Sequence, residues 1–221
     1  MLAKELISEI VPSLKTSDTG QKALNWMEVF RVSHLPIVNN REFLGLISDT
    51  DIYDLNMAEE AIGNHKLSLF SPYVYEDQHI YEVIELISRL KLTVVPVLDR
   101  ENNYLGLITQ NELITYFSKM TAVHQPGAII VLELHQNDYS LSQIAQIFES
   151  NDAQILSLYV RPHEDSTRME IVIKINRTEV QGILQTLDRY NYEVRASYME
   201  EDDMSSLLES HYEAFMKYLN M

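Results

Sequence analysis

The sequence predicts a mixed α/β (α+β) chain: a tandem repeat with pseudo-twofold symmetry, a second domain of βαββαβ order, and a closing amphipathic helix. Three observations carry this. An apolar pattern recurs at an offset of 60 residues within 1–120, strand and helix periods alternate after Pro126-Gly127, and a helical apolar stripe runs through 202–221. The predicted boundaries are 1–60 and 61–120 for the two copies, 127–200 for the second domain and 201–221 for the helix.

In the repeat, Ala23, Leu24, Trp26, Met27 and Phe30 fall at helical spacing, and Val83, Ile84, Leu86, Ile87 and Leu90 are apolar at those positions plus 60. Ser33-His34-Leu35-Pro36-Ile37-Val38 aligns in the same way with Thr93-Val94-Val95-Pro96-Val97-Leu98. These β-branched and apolar runs read as short strands, and the proline suggests an edge or a strand start. Polar turns follow at 39–42 and 99–103, the second longer by one residue. After them come Phe43-Leu44-Gly45-Leu46-Ile47-Ser48-Asp49-Thr50-Asp51 and Tyr104-Leu105-Gly106-Leu107-Ile108-Thr109-Gln110-Asn111-Glu112, each a strand running into a helix start. One copy has little core to bury alone, so the two are expected to pack around a pseudo-twofold axis.

With the pattern apolar-Pro-apolar, turn, Gly-apolar-apolar-Ser/Thr-x-x-acid occurring twice in order, residues 1–120 resemble a tandem pair of CBS domains. That resemblance implies a regulatory module that binds adenosine-containing ligands between the copies and dimerises. Carried over by match, it implies that Asp51 bonds ribose hydroxyls, that Ser48 lies near ribose or phosphate, and that backbone around His34, Leu35 and Pro36 meets adenine. In the second copy the corresponding residues are Glu112, Thr109, Val94, Val95 and Pro96.

The same residues have a plainer reading. Ser48-x-x-Asp51 and Thr109-x-x-Glu112 both have the form of a capping box, which satisfies a helix's own N-terminal amides without any ligand. Capping boxes favour Glu at the last position and the family's ribose contact favours Asp, so copy one points to ligand binding and copy two to capping. Arg31, His34, Arg89 and Lys91 flank the strands as phosphate-binding candidates, and each is also readable as a solvated charge at a helix end.

After a linker expected over 119–127, Ala128–Leu134 reads as a strand and Ser140 opens a helix carrying Leu141, Ile144, Ala145 and Phe148. Strands are expected at 155–160 and 169–175, a helix from Thr178 and a last strand at 192–198. This order is the ferredoxin-like split arrangement and resembles the ACT domain, a regulatory unit that binds amino acids. Here the loop after the first strand is Gln136-Asn137-Asp138-Tyr139, without the glycine that family commonly places beside its ligand. A dimerisation role is the stronger expectation. CBS pairs joined to an ACT-like domain resemble the acetoin-utilisation regulatory proteins. The final stripe, Met204, Leu207, Leu208, Tyr212, Phe215 and Leu219, needs a partner surface on this chain or on a second subunit.

Composition narrows the function. The chain has 221 residues, 46% of them hydrophobic, with 17 bases against 33 acids and a formal charge of −16. Both halves are acidic, with 10 bases and 17 acids in 1–120 and 7 and 16 in 121–221, so a nucleic-acid or membrane-surface partner is not expected. A lightly charged ligand such as AMP, adenosine or S-adenosylmethionine fits better than a triphosphate. The absence of cysteine excludes disulfides, thiolate catalysis and thiolate metal sites, and with the mixed polar start it suggests the cytoplasm. Seven histidines lie scattered, with no His-Glu-x-x-His, Gly-rich phosphate loop or Gly-x-Ser-x-Gly elbow. The expectation is a non-catalytic regulator, needing no cofactor, that acts as a homodimer with an adenosyl ligand and an unidentified protein partner. The alternatives are a structural dimer with degenerate clefts and an amino-acid-responsive regulator.

Overall fold

Thr19 opens the first helix, α1 (Gly20–Phe30), by accepting the N–H of Lys22 at 3.2 Å. Ala23 and Met27 are buried, and Leu24, Trp26 and Phe30 pack against the same core. Arg31 stops the helix in a left-handed conformation with φ 56°, and Lys91 ends α3 (Ile80–Leu90) at the same φ, 60 positions later. Strands β1 (His34–Asn39) and β2 (Glu42–Ser48) form an antiparallel hairpin leading into α2 (Asp49–Asp54). Strands β4 (Val94–Leu98) and β5 (Tyr104–Thr109) repeat it and lead into α4 (Gln110–Met120). The computed structural model describes residues 1–56, 58–65, 71–163 and 167–198, and the chain divides into two units, Met1–Tyr116 and Phe117–Met221.

Both hairpins shift register at matched places, between Ile37 and Val38 and between Val97 and Leu98. The glycine of the repeated motif sits there, Gly45 opposite Ile37 and Gly106 opposite Val97. At Gly106 a Cβ would lie 2.3 Å from Cγ2 of Ile7, so the missing side chain admits the N-terminal segment. Leu35, Ile37, Ile47, Val95, Val97 and Ile108 are all fully buried in one cluster, so the two copies share a single core. Burying each such side chain contributes about 1.5–3 kcal/mol.

The N-terminal residues attach to the second copy rather than the first. Ala3 and Lys4 donate to the carbonyls of Gln78 and Glu76 at 2.9 and 3.1 Å, and Ser8 donates to Leu107 at 2.8 Å. The chain then returns to copy one, where Leu14 pairs in parallel with Ile37. Its counterpart 60 residues on is β3 (Val74–Tyr75), parallel to β4 at Val97 and Leu98. The proline expectation is corrected here: Pro96 lies inside the central strand of the β3-β4-β5 sheet, not at its start. The position is tolerated because β3 reaches only Val97 and Leu98, so no third strand asks for the missing N–H.

In the second unit, β6 (Ile129–His135), α5 (Leu141–Glu149), β7 (Ile155–Pro162), β8 (Arg168–Ile175), α6 (Gln181–Arg189) and β9 (Glu193–Tyr198) follow in order. The sheet order β7-β8-β6-β9, all neighbours antiparallel, is the ferredoxin-like split arrangement. Ile130, Leu132, Ile171 and Ile173 point into a core with Ile144, Ile147 and Phe148 of α5 and Ile183 and Leu187 of α6. Helix α6 begins at Gln181, later than the expected Thr178, with Val180 just outside it. Gly127 holds φ 144°, and a Cβ there would lie 1.9 Å from the carbonyl oxygen of Ile175, so only glycine fits beside that strand end. The helix expected over 201–221 lies outside the described residues. Among the described residues no helix is long and apolar enough to cross a membrane.

Candidate ligand site of the repeat pair

Each copy carries the same hydrogen-bonded box at its strand-to-helix junction. In copy one the backbone N–H and the hydroxyl of Ser48 both donate to Asp51 Oδ2, at 2.8 and 2.7 Å, and the Asp51 N–H donates back to the Ser48 hydroxyl at 3.1 Å. In copy two the Thr109 N–H donates to Glu112 Oε2 at 2.9 Å, the Thr109 hydroxyl donates to the same oxygen, and the Glu112 N–H donates back at 3.3 Å. The contrast expected from Asp against Glu is therefore corrected, because both acids cap their helices by the same bonds. The shorter Asp side chain reaches the cap as well as Glu does.

The copies differ in access instead. Asp51 is exposed, whereas Thr109 is buried and Glu112 half-buried. Among the described residues no hydrogen bond is made to Asp51 Oδ1, which leaves a carboxylate oxygen open for a ligand hydroxyl. Asp49, next to it, is occupied with the N–H and hydroxyl of Thr50, at 2.7 and 3.2 Å.

His34 stands near this carboxylate pair, half-buried at the head of β1. Its Nδ1 accepts the backbone N–H of Thr93 at 3.4 Å and lies 3.0 Å from the Thr93 hydroxyl. That hydroxyl also accepts the N–H of Ser33, at 3.0 Å, so one side chain of copy two ties down the strand entry of copy one. Burial pushes the His34 imidazole below its usual pKa, against the opposing pull of Asp49 and Asp51. Its counterpart, Val94, is apolar and fully buried.

Leu35, Pro36, Val94, Val95 and Pro96 are all buried, so their side chains serve the core and only their backbone is available to a ligand. The expected phosphate groups do not converge. Arg31 lines a 580 Å³ cavity between α1 and α2 with Gln21, Asn25, Glu28, Asp49 and Tyr53. Arg89 lies 3.9 Å from Glu85, and Lys91 caps α3. That cavity includes neither Asp51 nor His34. Sequence reasoning missed Thr93 as the seam residue, and its only signal was its place opposite Ser33 in the repeat.

Two stretches of the chain, residues 3–57 and 70–119, match the family model of the CBS domain. The first half of the chain is a tandem pair of CBS domains. Inosine-5'-monophosphate dehydrogenase of Methanocaldococcus jannaschii is 26% identical over 113 residues, 51% of this chain and 23% of that protein. The chain thus spans about a quarter of the length of that relative. A CBS domain pair/ACT domain protein of Thermotoga maritima is 21% identical with a TM-score of 0.47, over 54% of this chain and 98% of that one. An acetoin utilization protein of Vibrio cholerae is 19% identical with a TM-score of 0.49, over 56% and 95%. The family match, not these likenesses, carries the assignment.

Proposed function

We propose that this is a non-catalytic regulatory protein whose CBS pair binds an adenosine-containing small molecule at the first-copy junction. The observation that carries the reading is the Ser48–Asp51 box beside His34, whose acid is exposed, where the matching box of copy two has a buried Thr109 and a half-buried Glu112. Asp51 accepts the protons of a ribose cis-diol, the Ser48 hydroxyl lies beside the sugar, and backbone at His34, Leu35 and Pro36 meets the base. Val94, Val95, Pro96, Thr109 and Glu112 form the weaker second cleft. A ligand of low charge suits a chain with 17 bases against 33 acids.

The protein acts as a homodimer in this reading. Tyr53 on α2 and Ile114 on α4 occupy equivalent positions and are 69% and 67% exposed, and Val29 on α1 is 70% exposed, an apolar surface that a second copy would cover.

Calorimetric and thermal-shift titration with adenosine, AMP, ADP, ATP, S-adenosylmethionine and common amino acids tests the proposal. An adenosyl compound should raise the melting temperature, and Asp51→Ala should weaken its binding by about tenfold or more, the loss expected for a charged hydrogen bond. No adenosyl binding below millimolar concentration sinks the sensor reading; unchanged affinity in Asp51→Ala sinks the site.

A second reading rests on a 550 Å³ cavity at the end of β6 in the ferredoxin-like unit, lined by Glu133, His135, Asp138, Arg168, Tyr192 and Glu193. Taken as an ACT-like domain, that unit would place an amino acid there. The amino-acid arm of the same titration separates the two.

A further inference from the structure

The four-stranded sheet of the second unit has two unlike faces. One is covered by α5 and α6. The other holds a shallow depression of about 360 Å³ lined by Ile129, Val131, Tyr159, Val172, Ala196 and Tyr198, with Arg161, Glu170 and Arg195 at its polar side. Glu170 is almost fully buried and is gripped by Arg161 and Arg195 together. Both arginine side chains stay more than half exposed. A sheet face of apolar side chains whose one buried acid already has partners on both carboxylate oxygens can be covered without stranding that acid.

We propose that residues 204–219 of this same chain cover that face. Three facts select this occupant. First, Tyr198 ends β9 and itself lines the depression, so the chain leaves β9 at the rim of the face opposite α5 and α6, which among the described residues is met only near Ser157 and Lys174, by Thr121 and Gly127. Second, the lengths fit. Residues 199–203 reach at most about 17 Å, enough to recross a sheet of four strands about 14 Å wide. The apolar residues Met204, Leu207, Leu208, Tyr212, Phe215 and Leu219 recur at helical spacing, and a helix over them would be about 24 Å long, close to the roughly 26 Å of an eight-residue strand such as β8. Third, the charges are complementary. Glu200, Glu201, Asp202 and Asp203 precede the stripe and would pass the exposed arms of Arg161 and Arg195.

Because the chain has no cysteine, paired cysteines with a short bis-maleimide give a clean test on the full-length protein. Val172→Cys combined with Leu208→Cys should crosslink within the chain several-fold faster than Val172→Cys combined with Ser210→Cys, since Ser210 falls on the opposite side of the stripe. Circular dichroism of each variant establishes that it is folded. Equal rates for the two pairs, or no crosslink in a folded Leu208 variant, overturns the proposal. So does an equally fast crosslink between chains when the two single-cysteine variants are mixed, which would make a second copy the occupant. As an independent reading, deletion of 204–221 should increase binding of a hydrophobic dye, and unchanged dye binding in the folded truncation counts against it.

Discussion

At the head of its first strand, copy one of the CBS pair carries a half-buried His34 where copy two carries a fully buried Val94. At the strand-to-helix junction, copy one has a half-buried Ser48 and an exposed Asp51 where copy two has a buried Thr109 and a half-buried Glu112. The backbone hydrogen bonds around these positions are otherwise matched: Asp49 N–H to Ser33 and Gln110 N–H to Thr93, at 3.2 and 3.1 Å. Duplicate scaffolds have thus been given unlike surfaces. In the function proposed above, the more reachable junction of copy one contacts the small molecule, while both copies contribute to the one core.

The comparison can be broken at several depths. Ile47→Ala and Ile108→Ala remove matched side chains that are both fully buried. Each should cost about 2–5 kcal/mol in urea unfolding, and by similar amounts if the core is shared. A markedly smaller loss for one would mean that the copies are stabilised separately. At the caps, Ser48→Ala and Thr109→Ala should each cost about 1 kcal/mol, with Thr109 the costlier because it is buried.

A smaller effect appears with pH. His34 has a folded pKa below its ordinary value, so the unfolded chain takes up the proton more readily. The stability this group contributes is therefore complete above the unfolded value near 6.5 and is lost as pH falls through the folded one. Replacing it with the residue of copy two, His34→Val, should flatten that part of the stability–pH curve, and thermal melts between about pH 7 and pH 5 would detect a slope left intact. The smallest change is expected at Arg89, whose exposed partner Glu85 corresponds to Asn25 in copy one. Arg89→Ala should shift stability by no more than about 0.5 kcal/mol.

Much of the fold was legible because helices α1 and α3 and the two hairpins each bury an apolar face, and burial writes a period into the sequence. The short pieces were not. Leu14 and Val74 are buried in the shared core, but Leu14 and the two residues of β3 span too few positions to show alternation. At the candidate site, both boxes were readable from Ser48, Asp51, Thr109 and Glu112, since their bonds are local. Which box faces water depends on tertiary burial, which the identity of the acid does not encode, since Asp51 and Glu112 make the same capping bonds. Thr93 escaped notice for a related reason: its bonds reach a residue about 60 positions away.

The route of the first fourteen residues sets how the pair can be divided. Residues 3, 4 and 8 bond to the second copy, and Ile7 fills the space left by Gly106, before Leu14 joins the first. A cut near residue 60 would therefore not yield two self-sufficient modules. It would strip the second copy of the segment that covers Gly106 and leave the first trailing an apolar strip that belongs to its sibling. The smallest excisable piece is the laced pair, and a transplant of either copy into another protein must carry its neighbour or a substitute for that opening strip.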